Sequence, residues 1–280
     1  MNNTVAEALR LAKKRLKDAN IESWSIDSEL LMCRVMGFTR IQLVTRDTQP
    51  LTPSELNQLE KLLLQRLTHE PMQYILGRAE FMGMEFAVNE NTLIPRPDTE
   101  ILVEKVIEEI NAKKYKTLLD IGTGSGAIGI SIGKYCPQVN VVAVDISQKA
   151  LAVAQNNSIN NRVNNITFVQ GDLFENVTGN FDVIVSNPPY IETHIIDTLE
   201  SQVKDFEPIL ALDGGADGLS FYRRITSNSS YLNKGGLLAY EIGYNQGVAV
   251  KAMLEENAFE NVQIIKDLAG LDRVVIGNKI

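Results

Sequence analysis

An amide side chain, two prolines and an aromatic ring stand in a row at Asn187-Pro188-Pro189-Tyr190. They close an apolar run, residues 181–186, with the composition of a buried strand. Proline has no N–H, so the carbonyls of this turn lie beside no competing donor. That set suits one task, holding a planar nitrogen nucleophile while its lone pair is freed to attack an electrophile. The Asn187 oxygen and the Pro188 carbonyl can accept from the nitrogen. Pro189 stiffens the turn, and Tyr190 can stack on the plane. Upstream, Asp120-Ile121-Gly122-Thr123-Gly124-Ser125-Gly126 is a glycine loop of the kind that holds a nucleotide-like cofactor. Together the two motifs point to N-methyl transfer from S-adenosylmethionine.

The loop residues Gly122, Thr123, Gly124, Ser125 and Gly126 are the first candidates for cofactor contact, because backbone N–H groups can approach a ligand there without Cβ interference. Asp145 ends the next apolar run, where a carboxylate can accept from both hydroxyls of a ribose. Gly171-Asp172-Leu173 ends the third run. Asp172 can accept from an adenine amino group, and Leu173 can pack on the ring. A glycine pattern alone does not separate dinucleotides from S-adenosylmethionine. Here Ala127 takes the place of the last glycine of G-x-G-x-x-G.

These residues need elements to position them. From Lys116 onward, short apolar runs at 117–120, 140–144, 166–170, 181–186, 237–242, 262–266 and 274–276 alternate with helical patterns at 127–135, 148–157, 219–230 and 245–256. Runs apolar on both faces belong to a buried parallel sheet. The pattern predicts an α/β fold, a Rossmann-like, doubly wound and mainly parallel seven-stranded sheet. Residues 1–72 read as a small helical domain. A Thr4/Glu7 capping box opens one helix, a second runs over 28–36 and ends at Gly37, and a third starts at Thr52-Pro53-Ser54-Glu55. Residues 73–95 read as a β-hairpin linker, with extended segments around Gly83. A helix beginning near Asp98 then opens the third region, 96–280, because Pro95 and Pro97 keep 94–96 extended.

Composition narrows the function classes. In 280 residues, 44 % are apolar and 22 % charged, as in ordinary globular domains. The net charge of −8 and short basic clusters argue against stable nucleic-acid binding and suit a basic protein partner. No apolar run is long enough to span a bilayer, and the N-terminus lacks a signal-peptide pattern, so cytoplasmic residence is expected. Cys33 and Cys136 read as separate buried thiols. His69 and His194 are isolated, and no cluster has metal-ligand spacing, so no metal is expected.

The 120–126 and 187–190 segments resemble the class I methyltransferases. A wider set resembles the HemK/PrmC family, which methylates the glutamine of the Gly-Gly-Gln motif in peptide chain release factors. That set is Gln73-Tyr74-Ile75-Leu76-Gly77, Leu93-Ile94-Pro95-Arg96-Pro97-Asp98-Thr99-Glu100, Phe206-Glu207-Pro208 and the stretch from Ala211 to Gly218. The resemblance covers roughly residues 70 to 280. It implies S-adenosylmethionine as donor, with S-adenosylhomocysteine as product, a glutamine side-chain nitrogen as acceptor and a release factor as protein partner, and it places Asn187 at the cofactor as well; the chain is expected to be a monomer. It assigns Asn187, Pro188 and Tyr190 to catalysis and Asn187, Pro188, Pro189 and Tyr190 to the substrate amide. The helical domain would recognise the substrate. Many members carry an aromatic residue where Leu173 stands. Asn-Pro-Pro-Tyr is shared with nucleic-acid adenine or guanine N-methyltransferases, which remain an alternative; a non-enzymatic ligand-binding module and a nicotinamide oxidoreductase fit the motifs less well.

Overall fold

A computed structural model of the chain describes residues 4–280. The described residues fall into two compact units, one running through Gly77 and including Ser201–Phe206, the other comprising Arg78–Glu200 and Glu207–Ile280.

In the first unit, α1 (Val5–Asp18) begins with the expected capping box, Thr4 and Glu7 each bonding the other's N–H at 3.3 Å. α2 (Trp24–Met36) starts four residues before the expected Ser28, whose hydroxyl donates to the Trp24 carbonyl from within the helix rather than capping it. It closes at Gly37 in the left-handed region, as expected. α3 (Arg40–Thr45), opened by a Thr39/Gln42 box, was not anticipated. α4 (Pro53–Leu67) carries the predicted Thr52/Glu55 box with Pro53 in its first turn. α5 (Met72–Leu76) is helical where extended structure was expected to begin, and Gly77 ends it. Leu16, Leu31, Met32 and Leu63 form part of a core belonging to this unit. A buried Asp27–Arg66 ion pair, 2.7 Å from Oδ2 to Nε, joins α2 to α4.

The second unit opens with a hairpin, β1 (Arg78–Phe81) and β2 (Met84–Ala87). Both turn residues, Met82 and Gly83, have positive φ, the geometry that matches the twist of a two-residue hairpin. Then follow α6 (Pro97–Lys113), β3 (Thr117–Ile121), α7 (Ala127–Tyr135), β4 (Asn140–Asp145), α8 (Gln148–Asn160), β5 (Ile166–Gln170) and β6 (Phe181–Ser186). The chain next passes through α9 (Ser201–Lys204) in the first unit and returns for α10 (Ser220–Ser227), β7 (Leu232–Glu241), α11 (Gly247–Glu256), β8 (Phe259–Lys266) and β9 (Asp272–Lys279).

The sheet has the order β5-β4-β3-β6-β7-β9-β8, with β9 antiparallel to its two neighbours and the other pairings parallel. All seven expected strands are present. β7 begins five residues early, before an irregular register at Gly235-Gly236, which masked it in the sequence. Leu118 packs into one buried cluster and Leu119 into the other, so both faces are covered and the strand reads as continuously apolar. The order reverses between β3 and β6. Ligands bind at such a switch point, beyond the carboxyl ends of the strands.

Candidate functional site

A cavity of about 390 Å³ lies at that switch point. Its floor comes from the ends of four parallel strands: Gly122 and Gly124 after β3, Asp145 and Ser147 after β4, Asp172 and Leu173 after β5, and Asn187, Pro188 and Pro189 after β6. Residues 90–93, Pro208, Leu210, Phe221 and Arg224 complete the wall. Eight of the sequence-predicted residues therefore meet in one place, from positions 122 to 189.

The glycines divide by role. Gly122 and Gly124 have φ of 73° and 56°, and a Cβ on either would meet nothing within 4 Å. Their bare backbone faces open space that a ligand can fill. At Gly126, φ is 84° and a Cβ would stand 2.5 Å from Ile130 Cδ1, so this glycine lets α7 start close against its neighbours. Thr123, Ser125 and Gly126 do not line the cavity. Thr123 donates to Asp120 Oδ2 at 2.6 Å, and the Ser125 carbonyl accepts from Asn157 Nδ2 at 2.9 Å. These residues shape the loop from within. Asp120, fully buried, also accepts from the Gly129 N–H at 3.0 Å, and burial pushes its carboxyl up to about 7.

Asp145 Oδ2 accepts from the Gly124 N–H at 2.8 Å and Oδ1 from Ser147 at 2.9 Å. Each oxygen keeps a second lone pair, so the carboxylate can accept from a pair of hydroxyls. Burial raises its pKa, against the pull of those two N–H groups. Asp172 is held by Arg224 Nη2 at 2.7 Å. Leu173 adopts φ of 59°, and the Arg224 guanidinium lies 5.6 Å from the Phe221 ring centroid. Phe221 and Arg224 escaped the sequence reading because α10 carries no motif; an aromatic residue two places into a helix is usually core.

Asn187 Nδ2 donates to Thr99 Oγ1 at 3.3 Å. Tyr190 lies outside the cavity lining and packs half-buried on the cluster holding Tyr222 and Tyr240. Burial, reinforced by Glu241, pushes its phenol up to about 12. Its carbonyl accepts from Gln246 Nε2 at 3.0 Å. Arg96 pairs with Glu207 Oε1 at 2.5 Å, a carboxylate 1 % exposed, which ties the Ile-Pro-Arg-Pro segment to Glu207-Pro208. Glu241, buried at the end of β7, is the principal residue that sequence reasoning missed. Its signal was an acid inside the apolar run 237–242.

Two family models match the chain, the PrmC N-terminal domain over residues 7–77 and the methyltransferase small domain over 97–215. The release factor glutamine methyltransferase of Clostridium acetobutylicum is 44 % identical over 277 residues, covering 97 % of each chain. That of Caulobacter vibrioides is 40 % identical over 282 residues, 100 % of this chain and 98 % of the other. Among solved structures, a methyltransferase from Pyrococcus furiosus superposes with a TM-score of 0.53 at 20 % identity, over 71 % of this chain and 90 % of that one. The hMettl16 catalytic domain, solved with a 3′UTR hairpin, gives 0.57 at 16 % identity, over 81 % and 82 %. These likenesses establish the Rossmann-like methyltransferase fold. With both regions matched and its relatives aligned nearly end to end, the chain belongs to the release factor glutamine methyltransferase family.

Proposed function

We propose that this chain transfers a methyl group from S-adenosylmethionine to the side-chain nitrogen, N5, of the glutamine in the Gly-Gly-Gln motif of peptide chain release factors. The observation that carries the reading is the shared cavity. Asn187 and Pro188, able to hold an amide, open onto the same space as Gly122, Gly124 and Asp145, able to hold a nucleoside.

The residues present fit the cofactor. Gly122 and Gly124 offer backbone with no side chain in the way, within a loop shaped by Thr123, Ser125 and Gly126. Asp145 is assigned to the ribose hydroxyls, Asp172 and Leu173 to the adenine, and Phe221 supplies a ring in the same wall. Bound there, S-adenosylmethionine supplies an electrophilic methyl group on a positively charged sulfur.

An amide nitrogen is a poor nucleophile because its lone pair is delocalised into the carbonyl. Asn187 Oδ1 and the Pro188 carbonyl accept from its NH₂, which disfavours that delocalisation and holds the lone pair toward the methyl group. The prolines keep the clamp in one shape before the acceptor arrives. Tyr190 is assigned to stack on the amide plane. The new N–C bond forms as the methyl–sulfur bond breaks, and the extra proton on nitrogen then leaves to solvent, so no strong base is needed. The N-terminal helices are assigned to recognition of the release factor by a monomeric enzyme. The net charge of −8 suits a basic partner.

The test is incubation with labelled S-adenosylmethionine and purified release factor, followed by peptide mass mapping. Label on the Gly-Gly-Gln glutamine is expected; a release factor left unlabelled at that glutamine would overturn the reading.

A further inference from the structure

Asparagine's two side-chain ends have nearly the same shape but opposite polarity, so packing alone does not decide which end Asn187 shows to the cavity. The amide must present its oxygen to accept from another NH₂. Turned over, it would set donor against donor. Something must fix the orientation.

β6 and β7 are parallel neighbours with Ser186 opposite Tyr240, so Asn187 and Glu241 leave the sheet side by side. Thr99, in the first turn of α6, completes the group. Thr99 is 4 % exposed and Glu241 1 %. Asn187 Nδ2 donates to Thr99 Oγ1 at 3.3 Å, and the polar side chains of Thr99 and Asn187 both draw the Glu241 carboxyl down against the push of burial. No salt bridge among the described residues explains this buried acid. Arg273, whose charge acts on Glu241, pairs instead with Asp98 at 3.2 Å and Asp267 at 3.0 Å. Glu241 Oε2 has no hydrogen-bond partner among the described residues. A buried carboxyl oxygen without a partner destabilises a fold, and this one sits directly behind the amide assigned to the chemistry.

We propose that Glu241, acting with Thr99, is the positioning residue that orients the Asn187 amide with its NH₂ inward and its oxygen toward the cavity. The inference rests on the role given to Asn187 above. A carboxylate only accepts. Thr99 has one proton; giving it to Glu241 leaves the hydroxyl oxygen to receive Asn187 Nδ2. Protonated, Glu241 would become a donor, and the inward pattern would favour the turned-over amide. The groups facing Glu241 are Arg273 from β9, Asp98 from α6, Tyr190 from the loop and Tyr222 from α10. Burial raises the Glu241 carboxyl to about 7, with Arg273 opposing the shift. The ionised form is the positioning form, so turnover should fall as pH drops through about 7.

The experiment compares wild type with Glu241→Gln, Thr99→Val and Thr99→Ser. The readouts are kcat on intact release factor across pH, S-adenosylmethionine affinity by calorimetry, and thermal unfolding. Thr99→Val keeps the shape but breaks the relay, and should lower kcat about a hundredfold with cofactor affinity within twofold of wild type. Thr99→Ser restores the hydroxyl and should recover most of the rate. Glu241→Gln should lower kcat and abolish the inflection near pH 7. Should Glu241→Gln fail to fold, the Val and Ser pair at Thr99 decides alone. Wild-type kcat in Thr99→Val, or no recovery in Thr99→Ser, overturns the inference. So does a Glu241→Gln enzyme that retains the inflection. A wild-type enzyme that leaves the Gly-Gly-Gln glutamine unmodified would instead sink the proposed function, a separate result read from the control.

Discussion

In the proposed mechanism Asn187 carries the chemistry in one amide: its NH₂ donates to Thr99, which leaves its oxygen to accept from the substrate NH₂. Asn187→Ala removes that oxygen without disturbing a core, since the residue is only half-buried. Turnover should drop by about 10²–10³-fold, the range for losing one aimed partner of a transition state, with the unfolding temperature little changed. Near-normal turnover would remove the residue from the mechanism. Asp120 bears on stability instead. Its carboxyl is raised from 3.8 to about 7 by burial, so the folded chain binds this proton more tightly than the unfolded chain does. The stability it contributes is present below the unfolded value and is lost as pH climbs through about 7. Glu241, also raised to about 7, acts in the same direction. Asp120→Asn cannot ionise, and its amide oxygen can still accept from Thr123 and Gly129. Denaturant unfolding of this variant at several pH values between 4 and 8 should show a shallower decline than wild type; an identical slope would contradict the assignment.

Single side chains act only if their loops hold still, and here one loop braces another. Residues 213–218 run behind the Asn-Pro-Pro-Tyr turn. The Gly214 N–H donates to the Ile191 carbonyl at 2.8 Å, and Ile191 donates to Leu212 at 3.0 Å. A Cβ on Gly214 would stand 2.7 Å from Tyr190 Cα and 2.8 Å from the Pro189 carbonyl oxygen, and backbone cannot swing aside as a flexible side chain can. Gly214→Ala should therefore displace the clamp. A loss of kcat of about tenfold or more is expected, with cofactor affinity, which the proposed site places on the loops after β3, β4 and β5, nearly intact. Steady-state kinetics and calorimetry measure both, and undiminished kcat would show that the clamp tolerates the push. At this scale the helix starts with Thr-x-x-Glu boxes were legible, because capping is decided within four residues. α2 began early because Ser28 bonds inside the helix, a choice between two local options that tertiary packing settles. α5 was read as extended because five residues are too few to display a helical period.

Over the whole molecule, each unit has its own buried core, so their stabilities should be separable. Arg66→Met tests this. It strands Asp27, whose side chain is 4 % exposed, without its ion-pair partner. Loss of one member of a buried pair costs about 3–5 kcal/mol. Hydrogen exchange in α2 and α4 should rise strongly, while S-adenosylmethionine affinity stays at the wild-type value; a parallel loss of cofactor affinity would show that the two cores fold as one. The glycine loop, the Asn-Pro-Pro-Tyr turn, the strand and helix rhythm and Asp145 were legible along the chain, because glycine frees φ and proline fixes it locally, and burial imposes a period on each run. That Glu241 stands behind Asn187, that Arg224 holds Asp172, that Arg96 pairs with Glu207, and that Thr123, Ser125 and Gly126 face inward rather than onto the cavity follows from the folded arrangement alone. Those neighbours lie 52 to 111 residues apart in the chain. Strand order and register bring them together, and both emerge from packing the whole sheet, which no short stretch of sequence encodes.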